Sequence, residues 1–220
     1  MNIYANKKTL FYKLKSNALL EWHKYVHHDF VNGIRNGSLK LSQFKNYLKQ
    51  DYIFLQKFMK ILSLGAYKSK SVSDMNNCID FILGIKHEIK LHIHYCKKFK
   101  ISKKKLLLTK EKLENKNYTD FVLNVGKKKG LIELFVALSP CIIGYGEIGY
   151  NLSMTKNWRK SKYASWIKMY ASNEYQKIAE HNIKYLDLLH KNYKSKELSL
   201  NNIFKKATNL ESNFWQMSMK

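Results

Sequence analysis

The sequence contains very few residues that end helices or open turns. Its 220 residues include one proline and nine glycines. Because these two residue types most often punctuate regular structure, their scarcity favours long helices joined by short connections. Alternating strand patterns are almost absent as well. Apolar residues make up 45% of the chain and aromatic residues 14%, which is typical of a folded globular protein rather than a disordered one.

Cysteine is scarce too. Cys78, Cys96 and Cys141 are odd in number and far apart in the chain, so neither a disulfide framework nor a zinc cluster is indicated. The first residues have no uninterrupted apolar core and no small-residue cleavage site, which predicts that there is no signal peptide. We expect no later window to be apolar enough, for long enough, to span a membrane. A reducing cytoplasm is therefore the predicted location.

Arginine is nearly missing although the net charge is +24. Arg35 and Arg159 are the two arginines among 40 basic residues, so the other 38 are lysines. Proteins that read base edges depend on bidentate arginine, which lysine replaces poorly. The lysines also occur along the whole chain. We favour a solvated lysine surface over nucleic-acid binding, which stays a weaker alternative.

The remaining pattern is helical throughout. Apolar residues recur three or four apart from Leu10 to Ile34, which predicts one long helix ended by Gly37. The lysine-rich segment 98–117 has little pattern and is expected to be a surface connection. A second helix is expected over 43–67 after a cap at Ser42, and a third from a cap at Ser73 or Asp74 to near residue 99. A further helix should run from Asn117 to a break at Gly126 and Gly130, followed by one over 131–154. Two helical segments joined near Ser172 and a last helix over 198–218 complete the prediction. The prediction is a single all-α domain over residues 1–220.

Two carboxylates stand among apolar and aromatic residues. Asp51 lies in "LKQDYIFLQKF" and Glu211 in "LESNFWQM". A helical aspartate is more commonly exposed, and a half-buried glutamate commonly pairs with lysine. Two carboxylates in apolar pockets could instead divide binding and proton transfer between them. The residues alone leave both alternatives open.

Histidines are possible metal ligands at two places. Glu88 and His92 lie four apart on one predicted helix in "IKHEIKLHIHY", and carboxylate–histidine helices build di-iron sites in bundles. The spacing matches neither the zinc-peptidase pattern nor the Glu-x-x-His pattern, so a plain surface contact is the favoured interpretation. His23, His27 and His28 are equally ambiguous, and His28 could simply hold a helix end.

The single proline is followed directly by a cysteine inside an apolar run, "ALSPCIIGYGEIGY". Proline lacks an N–H and clashes with the preceding turn, so the helix should kink or restart there. If it restarts, Cys141 lies in the first turn, where free amides favour the thiolate. Tyr145 would then share a face with Cys141. An inert core cysteine at a kink explains the same residues equally well.

Six segments in this order resemble the TenA family of thiaminase II (aminopyrimidine aminohydrolase) proteins. They are "EWHKYVHHDFVNGIRNGSL", "FKNYLKQDYIFL", "NYTDFVL", "LSPCIIGYGEIG", "YASWIKMYAS" and "LESNFW". The resemblance implies a heme-oxygenase-like helical fold, a homotetramer and no metal or organic cofactor. It also implies hydrolysis of aminopyrimidines, including thiamin and aminomethylpyrimidine breakdown products, to hydroxymethylpyrimidine for thiamin salvage.

The same resemblance implies roles for particular residues. Cys141 matches the family nucleophile, Glu211 matches the acid/base that moves protons, and Asp51 matches the carboxylate that binds the amino and ring nitrogens. The matching pocket tyrosines are Tyr118, Tyr145 and Tyr170. Phe54 stands where many members have tyrosine, so the stacking surface is kept and a hydroxyl contact is lost.

Two other functions remain as alternatives. A di-iron or cofactor-less oxidase on the same fold is one, although Tyr95 stands where a further histidine is expected beyond His92. A non-catalytic pyrimidine-binding or regulatory protein is the other. The presence of Cys141, Asp51 and Glu211 together favours the hydrolase over both.

Overall fold

Helix is the only regular secondary structure in the computed structural model, which describes residues 3–220. About 82% of the chain is helical and no strand occurs among the described residues, so the all-α prediction is confirmed. The α-helices in this range are α1 Leu10–Asn17, α2 Leu19–Val26, α3 Asp29–Asn36, α4 Leu41–Lys68, α5 Val72–Lys98, α6 Lys103–Leu107, α7 Leu113–Lys128, α8 Leu131–Ser139, α9 Tyr145–Ser153, α10 Ala164–Tyr170, α11 Asn173–Asn192 and α12 Glu197–Met219. Two 3₁₀ turns, Ile3–Ala5 and Trp158–Lys160, and one π-helical turn, Pro140–Gly144, complete the set.

The single long helix expected over residues 10–34 is wrong, because α1, α2 and α3 occupy this region. The backbone leaves helical geometry at Ala18, with φ −122° and ψ 33°, and again at His27. His28 then caps α3, since its ring nitrogen accepts a hydrogen bond from the Phe30 N–H at 3.1 Å. The apolar spacing continues across these breaks, so periodicity alone does not detect them. Gly37 ends α3 in the left-handed region, φ 78°, as predicted.

Several predicted helix starts differ from the observed ones. Helix α4 begins at Leu41, ahead of the expected cap at Ser42, and the Gln43 side chain accepts a hydrogen bond from the Lys40 N–H. Ser71 caps α5 in place of Ser73 or Asp74, because its hydroxyl accepts from the Asp74 N–H. The expected surface connection 98–117 contains α6 and the start of α7. Local capping side chains, rather than the apolar pattern, decide these boundaries.

The chain divides into two compact units. Unit 1 comprises residues 1–39 and 135–212, and unit 2 comprises residues 40–134 and 213–220. In unit 1, α11 packs against α1 and the π-helical turn, and α10 packs against α9. In unit 2, α4 packs along α5 and α7. A single domain over 1–220 stays a prediction.

One helical stretch passes the test for a membrane span, contrary to our expectation. Leu131–Ser153 is 23 residues long and contains a window of mean hydropathy 1.6. However, 94% of that window is buried inside the protein. The core helix of a globular protein meets the same criteria of length and composition, so this stretch is weak evidence for a membrane-spanning helix.

Candidate active site

Cys141 lies on the π-helical turn Pro140–Gly144 in unit 1. Because proline has no N–H and crowds the carbonyl one turn earlier, the regular hydrogen-bond ladder cannot continue through it. Two tyrosine hydroxyls hydrogen-bond to backbone carbonyls of this turn. Tyr25 donates to the Pro140 oxygen and Tyr175 donates to the Ile142 oxygen, each at 3.2 Å. Side chains from α2 and α11 therefore stabilise the widened turn that carries the cysteine.

Of the two predicted alternatives, a kink or a restart at Pro140, the helix does not restart, so Cys141 does not lie in the first turn of a new helix. Ser139 has helical angles, φ −61° and ψ −35°, and the chain passes from α8 directly into the π-helical turn. The Cys141 thiol is buried, with 8% of the residue exposed, and donates to the Leu138 carbonyl oxygen at 3.1 Å. A protonated thiol makes this contact. To act as a nucleophile, Cys141 must lose this proton. The free amides of a helix start cannot favour that loss here, because no helix restarts at this position.

Glycines on α9 allow aromatic side chains to approach closely. A Cβ atom at Gly149 would lie 2.5 Å from the Tyr170 Cβ and 2.6 Å from its carbonyl carbon, so only glycine fits there. This contact brings α9 and α10 together, and the rings of Tyr145 and Tyr170 lie 5.0 Å apart. Both tyrosines are buried. Two of the three predicted pocket tyrosines are thus neighbours in unit 1.

Glu211, the predicted acid/base, lies on α12 in unit 1 and is 1% exposed. A carboxyl group that is buried this deeply is costly unless it is hydrogen-bonded or protonated. Glu211 is fully buried, where the alternative interpretation expected a partly buried glutamate that pairs with lysine. The proton-transfer role itself stays a prediction.

Asp51 is a buried carboxyl on α4 in unit 2, with 5% of the residue exposed. Its Oδ2 atom lies 3.4 Å from the Tyr47 hydroxyl and 3.4 Å from Nδ1 of His92. Among residues 3–220, no lysine or arginine forms an ion pair with it. Burial raises the pKa of Asp51 to about 7, and the Tyr47 hydrogen bond offsets part of this increase.

The hydrogen bonds of His92 indicate which atom carries a proton. Its Nε2 lies 2.8 Å from the Leu48 carbonyl oxygen, an acceptor, so Nε2 must be the protonated nitrogen. Burial lowers the pKa of His92 to about 4, which keeps the ring neutral near pH 7. Nδ1 is then an acceptor that faces Asp51. The contact is favourable when Asp51 itself holds a proton, in agreement with its raised pKa.

Aromatic side chains surround the same part of unit 2. The Phe54 ring lies 5.1 Å from Tyr118 and 5.8 Å from Phe214, measured between ring centroids. Phe54 and Tyr118 are buried. Offset and edge-on aromatic contacts of this kind can hold a planar ring by stacking. The structure therefore places the predicted Phe54 and Tyr118 together, on α4 and α7.

Comparison with known proteins assigns a family to this chain. The sequence profile of the TENA/THI-4/PQQC family matches residues 16–220 of this chain. The protein belongs to this family. It is 34% identical over 210 residues to the aminopyrimidine aminohydrolase of Helicobacter pylori, covering 93% of this chain and 96% of the relative. The predicted resemblance to the TenA family is thereby confirmed.

Two solved structures resemble this chain. A TenA family transcription regulator from Silicibacter sp. TM1040 superposes with a TM-score of 0.90 at 34% identity, covering 96% of each chain. A domain with a heme oxygenase-like fold from Shewanella denitrificans OS217 has a TM-score of 0.76 at 13% identity, covering 94% of this chain and 90% of that one. The second likeness shows the fold alone. The predicted heme-oxygenase-like fold is confirmed.

Glu88 and His92, the possible metal pair of this TenA family member, form part of the Asp51 cluster. Burial raises the pKa of Glu88 to about 8, and the nearby Asp51 adds to the effect. Within residues 3–220, no group of three or more His, Cys, Asp and Glu side chains is arranged to hold a metal ion. The donor set that a di-iron centre needs is therefore not found in this range.

Sequence reasoning missed the residues that support the candidate catalytic groups. Tyr47 lies one helical turn before Asp51 on α4, so its position on the same face was a usable signal. The contact between His92 and Asp51 joins two long helices and leaves no local pattern. The same is true of Tyr25 and Tyr175, which reach the π-helical turn from distant segments.

Proposed function

We propose that this protein is a hydrolase that converts aminopyrimidines to hydroxymethylpyrimidine in thiamin salvage. Thiamin, aminomethylpyrimidine breakdown products, or both would be the substrates. Membership of the TENA/THI-4/PQQC family and the aminopyrimidine aminohydrolase of Helicobacter pylori, 34% identical, support this proposal. We further propose that it works in the cytoplasm as a homotetramer and without a metal or organic cofactor.

The burial of Asp51, without a lysine or arginine partner among residues 3–220, is the observation that carries the proposal. An aminopyrimidine presents an amidine edge, in which a ring nitrogen accepts a hydrogen bond and the amino group donates one. A carboxyl group with a pKa of about 7 can donate through its O–H and accept through its other oxygen. Such a pair matches the amidine edge at both positions. A buried carboxyl without a lysine or arginine partner suits a ligand of this kind better than it suits stability.

Cys141 would supply the nucleophile. Its thiolate adds to the ring carbon next to nitrogen, and a ring nitrogen takes up the displaced electron pair, assisted by Asp51. Loss of aromaticity then lets the group on the exocyclic methylene leave with the electrons of its bond. Water adds at the freed methylene, the Cys141 sulfur leaves, and the aromatic ring re-forms. Glu211 would take the proton from water and return one to the leaving group.

The aromatic residues would bind and orient the ring. Tyr118 and Phe54 offer a stacking surface in unit 2, and Tyr145 with Tyr170 offers hydroxyls in unit 1. The Phe54 ring keeps the apolar face but provides no hydroxyl. We therefore expect this protein to rely on Asp51 for polar recognition of the ring more than relatives with tyrosine at this position.

Product formation tests the proposal. Purified protein is incubated with aminomethyl aminopyrimidine and with thiamin, and hydroxymethylpyrimidine is measured by chromatography. Cys141→Ser should lower the rate by about a thousandfold or more, as expected when a covalent nucleophile is removed. Cys78→Ser is the matched control, since Cys78 is buried in unit 2 and its thiol pKa is raised to about 11. Wild type without product, or equal rates in both variants, would contradict the proposal.

A further inference from the structure

The lysine-rich segment 98–117 lines a surface cavity whose charge has no role in the proposed reaction. The cavity has a volume of about 500 Å³ and lies wholly in unit 2. Five lysines contribute to its wall: Lys49, Lys104, Lys105, Lys110 and Lys112. None of the described residues that line it is acidic. Its size falls within the range of about 300–1,000 Å³ that is usual for small-molecule sites.

The cations in this cavity are not neutralised by carboxylates. Across residues 3–220, none of the five lysines takes part in an ion pair. Glu111, which lies between Lys110 and Lys112 in sequence, is bound instead by Lys57 at 2.6 Å. Burial and the nearby Lys105 and Lys112 lower the pKa of Lys49. The ammonium group of Lys49 is therefore repelled by those of Lys105 and Lys112, and a bound anion would relieve this repulsion.

The backbone that carries two of the lysines is held in place by a buried side chain. Gln50 is 3% exposed, and its Nε2 donates to the Lys110 carbonyl oxygen at 2.9 Å. Its Oε1 accepts from the Lys112 N–H at 3.0 Å and from the Asn115 side chain at 3.2 Å. Lys110 and Lys112 are thus positioned before any ligand arrives, which lowers the entropic cost of binding.

We infer that this cavity is a binding site for a small anion carrying two or more phosphate groups. Lysine ammonium groups bind phosphate oxygens as point charges and need no bidentate geometry, so the scarcity of arginine is no obstacle. Five cations around one cavity exceed what a single phosphate dianion needs, which favours a di- or polyphosphate. A nucleic-acid surface would be expected to extend as a stripe with interleaved aromatic side chains, and no aromatic side chain among residues 3–220 lines this cavity.

Calorimetric titration with inorganic tripolyphosphate tests the inference and does not depend on the enzymatic activity. The wild type should bind one tripolyphosphate per chain, and the affinity should fall as salt is added. The triple variant Lys49→Gln/Lys104→Gln/Lys105→Gln should bind about tenfold more weakly or worse, because three cations next to the anion are removed. Lys112 is left unchanged, since its Nζ atom also donates to the Met217 carbonyl oxygen.

The control removes the same charge from another surface. Lys7→Gln/Lys8→Gln/Lys13→Gln lies in unit 1, where a smaller cavity of about 300 Å³ is lined by Lys7, Lys13 and the acidic Glu197. This variant should keep the wild-type affinity within about threefold, since only long-range charge is lost. The cavity variant should also melt no lower than the wild type without phosphate, because mutual repulsion has been removed.

Three outcomes would overturn the inference. These are equal weakening in both triple variants, binding that does not saturate, and tight binding of a single-stranded RNA at the cavity lysines without saturable binding of tripolyphosphate. The last result would identify the cavity as a nucleic-acid contact.

Discussion

Replacing Asp51 by asparagine should make the protein more stable at alkaline pH. The pKa of this carboxyl rises from 3.8 to about 7 on folding, chiefly because the group is buried. The folded protein therefore keeps a proton that the unfolded chain loses above pH 4, so stability falls as pH rises through this window. At about 1.36 kcal/mol per pH unit, the whole interval is worth about 4 kcal/mol of unfolding free energy.

Comparing the asparagine variant with the wild type isolates the contribution of Asp51 to the pH dependence of the unfolding free energy. Asparagine has nearly the same shape and carries no charge at any pH, so it removes the alkaline penalty. At pH 5 the variant should already be more stable by about 2 kcal/mol, since wild-type Asp51 is mostly protonated in the folded protein but ionised in the unfolded chain. At pH 8 the variant should be more stable by about 4 kcal/mol. The expected loss of activity would show that the carboxyl is kept for function.

Because His92 also changes the stability of the protein with pH, the variant must be compared with the wild type at each pH. Its pKa is about 4 in the folded protein, below the ordinary 6.5, so the unfolded chain binds more protons between these values and stability rises with pH there. This trend opposes that of Asp51 in the wild type, and the part of it that does not depend on the Asp51 contact cancels when the two proteins are compared. Urea unfolding, followed by tryptophan fluorescence at pH 5 and pH 8, gives the two free energies.

The matched control is Asp80→Asn, which removes one negative charge from an exposed position on α5. Its free-energy difference from wild type should be small at both pH values. The reasoning about Asp51 would be refuted if Asp51→Asn were no more stable relative to wild type at pH 8 than at pH 5. The same conclusion would follow if the control showed an equal change.

Further predictions concern packing, substrate choice and proton transfer. Gly149→Ala should destabilise the protein by about 2 kcal/mol or more, because the new methyl group meets the Tyr170 backbone. Gly84→Ala, with open space around the added methyl group, should stabilise it by about 0.5–1 kcal/mol, and thermal unfolding measures both. Since the net charge is +24, kcat/KM for cationic thiamin should rise with salt and, at a pH where the aminomethyl group is unprotonated, stay below that for neutral aminomethylpyrimidine at low salt. A preference for thiamin at low salt would refute this. Glu211→Gln should lower kcat by about a hundredfold or more with little change in KM, and steady-state kinetics would contradict the role if KM alone changed.

Much of the fold is readable from the sequence, because helix periodicity and the scarcity of glycine and proline are strong signals. The end of α3 at Gly37 and the start of α11 after Ser172 were predicted, since each depends on one residue with a known capping role. The breaks at Ala18 and His27 were not, because no glycine or proline marks them and the apolar spacing runs on. Their geometry is set by packing within unit 1.

The candidate site was only partly accessible to sequence reasoning. The six matching segments selected Cys141 and Asp51, and the structure places both in buried positions. The surroundings of the Asp51 carboxyl and the backbone geometry at Cys141 could not be predicted, because both depend on residues that are distant in sequence. Asp51 is buried in contact with His92 from α5, and the widened turn at Cys141 accepts hydrogen bonds from the Tyr25 and Tyr175 hydroxyls.

Mass spectrometry of acid-quenched reactions tests the nucleophilic role of Cys141 most directly. Glu211→Gln protein, mixed with aminomethyl aminopyrimidine and digested after quenching, should yield a Cys141 peptide that carries the pyrimidine fragment. Cys78 and Cys96, both fully buried with raised thiol pKa values of about 11 and about 12, should remain unmodified. Hydrolysis that proceeds at an undiminished rate in Cys141→Ser, with no adduct on residue 141 in any quenched sample, would contradict the account.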